Sequence, residues 1–156
     1  LTKKELYELF TKLGQEKFAL AISDSIVRAR EIRPIEKTSE LAQIITQVYR
    51  KRGVIGGIHP ATRAFMALRI AVNDEFHNIK SGLPGAVNIL EKRGRLVVIS
   101  FHSLEDRIVK ITFKEFEEEG LGTVLTKKVE RPSSIEIKNN IRVRTAKMRV
   151  FERANL

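Results

Sequence analysis

The chain has 156 residues, 42% of them hydrophobic, with 29 Lys and Arg against 19 Asp and Glu, for a formal net charge of +10. That length suits one packed domain and a little more, and the positive balance points to a polyanionic partner, nucleic acid being the commonest, although the basic residues are interleaved with acids. The lack of cysteine excludes disulfides and thiolate metal sites and is compatible with a reducing cytoplasm, and neither a signal-peptide pattern nor an apolar run near the ~20 residues of a membrane-spanning helix occurs.

Residues 2–13 read as a short amphipathic helix. Thr2 can cap it, Leu6, Leu9, Phe10 and Leu13 form its apolar stripe, and Gly14 suits the position just past its end. Residues 15–33 repeat the pattern, with Phe18, Ile22 and Ile26 on one face and Pro34 as the stop. Arg28, Arg30 and Arg33 lie in its last turns, where the helix dipole favours cations. A third helix starts at Thr38 or Ser39, runs through Leu41, Ile44, Ile45 and Val48, and ends in Tyr49-Arg50-Lys51-Arg52-Gly53. Residues 1–52 are thus expected to form a small helical subdomain or insertion, with 53–156 as a second part.

Gly53 to Gly57 reads as a flexible joint. In His59-Pro60-Ala61-Thr62-Arg63, proline fits a first helical turn and His59 the cap before it. The helix that follows carries Ala61, Phe65, Leu68, Val72, Phe76 and Ile79 at helical period, and is expected to pack on a sheet and to break at Ser81-Gly82. Leu83 to Leu90 form a further short helix that leads toward Gly94.

Leu96 to Ile99 is an unbroken apolar run rich in β-branched residues, which reads as a strand buried on both faces, of the parallel-sheet kind. Helical spacing resumes at Leu104, Ile108, Ile111 and Glu115, with Ser103 the expected cap and Asp106 its partner in a Ser-x-x-Asp box. Open α/β sheets bind ligands beyond the carboxyl ends of their strands. Ser100, His102 and Ser103 are therefore the candidate active-site edge, with His102 the side chain freest to face a cleft. The plainer alternative is that they serve only the turn and the cap. Beyond residue 118, Gly120 and Gly122 make a turn, Val124 to Lys128 a short strand and 130–142 a polar loop. Ala146, Met148 and Val150 alternate with Lys147, Arg149 and Arg153, the period of a half-buried strand.

Arg50, Lys51 and Arg52, followed by His59 and Arg63, are the candidate nucleic-acid residues. They flank a glycine joint whose amides can also reach phosphate. A solvated helix end is the plainer alternative for the run at 50–52. His59, His77 and His102 are widely spaced and form no His-Glu-x-x-His, so no metal site is expected. The sequence has no Gly-x-Ser-x-Gly elbow and no phosphate loop, and no strand leads into Gly-x-Gly-x-x-Gly, so no cofactor cradle is expected either.

Three long motifs carry a resemblance. They are His59-Pro60-Ala61-Thr62-Arg63 with Ala67-Leu68-Arg69-Ile70-Ala71-Val72-Asn73-Asp74-Glu75, then Gly94-Arg95-Leu96 running into Ile99-Ser100-Phe101-His102-Ser103-Leu104-Glu105-Asp106-Arg107-Ile108-Val109-Lys110, and last Arg144-Thr145-Ala146-Lys147-Met148-Arg149-Val150. Together they resemble the S-adenosylmethionine-dependent methyltransferases that modify N4 of a decoding-site cytosine in bacterial 16S ribosomal RNA. The resemblance implies a Rossmann-like class I methyltransferase sheet with a helical insertion. Residues 1–52 would be that insertion, incomplete at its start, and 53–156 the carboxy-terminal part of the Rossmann-like domain.

It further implies S-adenosylmethionine as cofactor, 16S rRNA in the small ribosomal subunit as partner, a cytoplasmic location and no membrane. The family's glycine-rich first strand turn and ribose-binding acid find no counterpart here. The chain, which starts at Leu1, is therefore expected to be the carboxy-terminal half of a longer enzyme, inactive alone. Val54-Ile55 interrupts the family's basic-glycine run, and Ile141 stands where a proline is usual. The competing expectation is a non-catalytic basic RNA-binding module.

Overall fold

The structure, a computed structural model, describes residues 1–54 and 56–155. Ile55, inside the expected glycine joint, lies outside the described residues. The chain divides into two compact units, Leu1–Glu75 and Phe76–Leu156.

The first unit is helical: α1 (Lys3–Lys12), α2 (Ala19–Ile32), α3 (Thr38–Lys51) and α4 (Thr62–Val72). Thr2 caps α1 in a reciprocal box with Glu5, so two end groups of the helix are satisfied at once. Glu40 does the same service for α3 by accepting from the amides of Lys37 and Glu36, and those two bonds hold its carboxyl below the ordinary range. Phe10, Ile22 and Ile45 are fully buried at the centre of the unit, with Leu6, Ile26 and Val48 around them.

Several expectations change here. α2 begins at Ala19 rather than at residue 15, because Gln15 takes a left-handed backbone (φ 47°) and Glu16 turns inward to be buried. Gly14 is not a left-handed end residue. A Cβ there would stand 2.7 Å from the Phe10 carbonyl oxygen, 3.0 Å from that of Arg63 and 3.2 Å from the Ala67 Cβ, so glycine is required for α1 and α4 to approach. The matching face of α4 is small: Ala61, Ala64 and Ala67 are buried, whereas Val72 is 82% exposed. Within this unit α4 packs on α1, while Ile79, expected on the same helix, packs with the second unit's core. The expected boundary after residue 52 falls inside this unit, at the end of α3.

The chain breaks at Asn73-Asp74, where Asp74 has φ 47°, and not at Ser81-Gly82. α5 (Glu75–Asn88) runs on through Gly82 and Pro84. Pro84 forfeits one helical bond, but Leu83 and Val87 are buried against Val109 and Phe113, and that burial outweighs the loss.

The second unit continues with β1 (Arg95–Ser100), α6 (Ser103–Glu118), β2 (Gly122–Val124), α7 (Ser134–Asn139), a 3-10 turn (Ile141–Thr145) and β3 (Lys147–Arg153). α7 lies in the expected polar loop, begun by a Ser133/Glu136 capping box. The strands form a sheet in the order β1-β3-β2, with both pairings antiparallel. β1 is accordingly not buried on both faces. Leu96 and Val98 pack toward Phe113 and Phe151, while Val97 and Ile99 are 53% and 57% exposed.

β3 has the opposite phase to the one its apolar alternation suggests. Arg149 and Phe151 are the buried residues, and Met148 and Val150 pair with Ile99 and Val97 across the other face. The Phe113, Phe116 and Phe151 rings, with centroids 5.4 to 6.5 Å apart, account for the inward Phe151. β2 begins at Gly122, earlier than expected. A Cβ on Gly122 would meet the Glu152 carbonyl oxygen at 2.1 Å, so that glycine serves strand packing.

Candidate functional site

In the helical unit the basic end of α3 is held against the turn that precedes α2. Tyr49, buried in the last turns of α3, donates its hydroxyl to Glu16 at 2.8 Å, and Glu16 also accepts from the Phe18 amide at 2.9 Å. Burial, and after it the hydrogen bond to Glu16, pushes the Tyr49 hydroxyl up to about 12. The Phe18 ring packs edge-on against Tyr49, with centroids 4.8 Å apart. Two cations lie on that ring: Lys17 Nζ is 4.7 Å and the Arg52 guanidinium carbon 5.0 Å from its centroid.

Arg63, in the first turn of α4, donates to the Gln15 carbonyl at 3.0 Å and acts on the Tyr49 hydroxyl by its charge. Arg52, Arg63 and Lys17 thus gather around the 15–18 turn, all three exposed. Arg50 and Lys51 are exposed on the last turn of α3. His59 Nδ1 accepts from the Ala61 amide at 3.2 Å, which makes it the cap of the turn before α4. Sequence reasoning missed Lys17, Glu16 and Phe18. Phe18 counts only as a helix-face residue there; Glu16-Lys17-Phe18 shows an acid, a cation and an aromatic in a row, but their burial and stacking come from the fold.

In the second unit, Ser100 is buried and its hydroxyl donates to the Lys147 carbonyl at 3.5 Å. His102, not Ser103, is the cap of α6. Its Nδ1 accepts from the Glu105 amide at 3.3 Å, and the Glu105 carboxylate accepts from the amides of Phe101 and His102 at 3.0 and 3.3 Å. Ser103 is the first helical residue. Asp106 is released from the expected box because it pairs with Arg149 in two hydrogen bonds, at 2.7 and 3.1 Å. The side chains of that pair are 8% and 15% exposed, so it is a buried clamp between β3 and the first turn of α6.

The helical unit presents an exposed cationic surface, and the second unit a capped strand-to-helix turn. A model of the MraW methylase family matches residues 1–154. The chain belongs to that family. It is 48% identical over 153 residues, 98% of its length, to the ribosomal RNA small subunit methyltransferase H of Coprothermobacter proteolyticus, and covers 50% of that protein. With the proteins of the same name from a Sulfurihydrogenibium species and from Persephonella marina it shares 48% and 47% identity, covering 52% of each. The chain therefore spans about half the length of the curated relatives it matches. No helix among the described residues is long and apolar enough to cross a membrane.

Proposed function

We propose that this chain supplies RNA contacts to an S-adenosylmethionine-dependent enzyme that methylates N4 of a decoding-site cytosine in 16S rRNA. The observation that carries the RNA part is the ordered cationic surface. Arg52 and Lys17 rest on Phe18, Arg63 is tied to Gln15, and the frame beneath is locked by the Tyr49–Glu16 bond. Cations held in place lose less freedom when they meet phosphate than cations free in solvent. The relatives' names supply the methyl-transfer part.

The sheet order β1-β3-β2, with its last strand inserted antiparallel, is compatible with one side of a Rossmann-like methyltransferase sheet. The helical residues 1–52 are compatible with its insertion. Such an enzyme works in the cytoplasm, on the small subunit or its rRNA.

The described residues do not fit S-adenosylmethionine. The turn after β1 is closed by the His102/Glu105 box and contains no glycine cradle, and Gly122 is packed against Phe151 and Glu152. No step through the cofactor is therefore assigned to them. Their part is to bind the RNA and hold it in register, which for a transfer between two bound partners is a large share of catalysis. Ser100, His102 and Ser103 stand at the carboxyl end of β1, where such a sheet takes its ligands.

The test is to delete the gene that encodes this chain and to map methylation of small-subunit rRNA by mass spectrometry. The expected result is loss of the N4-methyl group from the decoding-site cytosine and its return on complementation. A retained methyl group would overturn the proposal.

A further inference from the structure

We infer that the groove between α1, α2 and α3 is a channel for single-stranded RNA, with Lys3, Arg28, Lys51 and Arg52 meeting phosphates and Leu20 meeting a base or ribose. This rests on the reading of the chain as rRNA-binding. The groove has a volume of about 810 Å³. Its charge is uneven: four cations line it against one carboxylate, Asp24.

Asp24 lies between two of those cations. Lys3 Nζ is 2.8 Å from one of its oxygens, and Arg28 pairs with the other. The carboxylate holds both side chains over the groove, yet they stay 49% and 73% exposed and so remain open to a second anion. Lys51 and Arg52 come from the end of α3, and Arg52 is already seated on Phe18.

Apolar side chains line the groove beside the charged ones. Ala21 and Val48 are among them, and Leu20 is 60% exposed, a large apolar side chain left bare among cations. A duplex offers such a surface only phosphates and sugar edges. A single strand offers phosphates to the cations and unstacked bases or riboses to Leu20, an aliphatic contact in place of the aromatic stacking used by other single-strand grooves. In this channel Asp24 is a built-in competitor. Phosphate replaces it as the partner of Lys3 and Arg28, so its own charge weakens binding.

The experiment measures fluorescence anisotropy of a labelled RNA covering the decoding-site strand, and of the same RNA in a duplex, from about 50 to about 200 mM salt. Wild-type chain, the Lys3→Ala/Arg28→Ala pair and Asp24→Asn are compared, with far-UV circular dichroism to confirm folding. The pair should flatten the log–log salt plot by about one unit or more, at ~0.7 per lost single-strand contact. Asp24→Asn, which removes charge without removing bulk, should bind several-fold more tightly. Single strand should bind better than duplex, and polyglutamate should displace it poorly.

If Asp24→Asn binds no better and the pair keeps the wild-type slope while Arg50→Ala or Arg63→Ala lowers it, the channel is wrong and the rRNA reading stands. Equal affinity for the duplex, or easy displacement by polyglutamate, also overturns the channel. Failure of the wild-type chain to bind any RNA overturns the rRNA reading and the channel with it.

Discussion

The Tyr49 hydroxyl reaches both carboxylate oxygens of Glu16 at 2.8 Å, and both residues are buried. A helix end and a distant turn are thereby joined through one polar contact inside an apolar core. Tyr49→Phe would leave a buried carboxylate with one partner fewer, a loss of about 1–3 kcal/mol. Urea unfolding of the two proteins checks this through the shift in midpoint.

The same bond sets a pH dependence. The hydroxyl titrates near 10 when unfolded and is pushed up to about 12 in the fold, so the fold favours the protonated form. Its contribution is complete below pH 10 and is lost as the pH rises through about 12. The stability difference between wild type and Tyr49→Phe should be constant below the lower value and shrink above it. A difference that grows with pH in that window would contradict the assignment.

His102 caps α6 and Ser103 does not, so the two alanine variants should separate cleanly. His102→Ala should cost about 1 kcal/mol of stability, as the loss of a cap does, and Ser103→Ala little. Thermal unfolding of both proteins decides it, and the reverse order would restore Ser103 as the cap.

The buried clamp between Arg149 and Asp106 should behave as a unit. Arg149→Met or Asp106→Asn alone leaves a buried group without its counterpart and should cost about 3 kcal/mol or more. The double variant should cost less than the two single ones added together. A double-mutant cycle by chemical denaturation reads that coupling, and strict additivity would show that the two residues act independently.

These cases show what the sequence made legible. The helices with strong stripes, α1 after its Thr2 cap and α3 starting at Thr38, lie where their residues place them, since local signals suffice there. The phase of β3 was not legible. An arginine at 149 reads as outward until Asp106, distant in sequence, is known to face it. The break in the long helical pattern was misplaced for a similar reason. Gly82 and Pro84 are the obvious breakers, but the burial of Leu83 and Val87 carries the helix past them, and Asp74 turns the chain instead.

At the candidate site, Arg50, Lys51, Arg52 and Arg63 stood out by charge. Lys17 and Phe18 did not, because ring stacking depends on where α2 begins. The Ser133-Ser134-Ile135-Glu136 capping signature of α7 is present in the sequence, but the helix's short length and polar surroundings give no apolar stripe to mark it.

The chain should not bind S-adenosylmethionine tightly, because the turn after β1 is a capping box and no glycine cradle occurs among the described residues. Titration calorimetry with the chain is expected to show no saturable heat at micromolar concentrations. Micromolar binding would place the donor site within these residues.

The most direct test of RNA contact by this chain is the salt dependence of its affinity for 16S rRNA, compared between wild type and Arg50→Ala/Arg52→Ala. Each phosphate contact to a single strand contributes about −0.7 to the log–log slope, so the double variant should flatten the plot by about one to two units. An unchanged slope would contradict the claim that the basic end of α3 meets RNA.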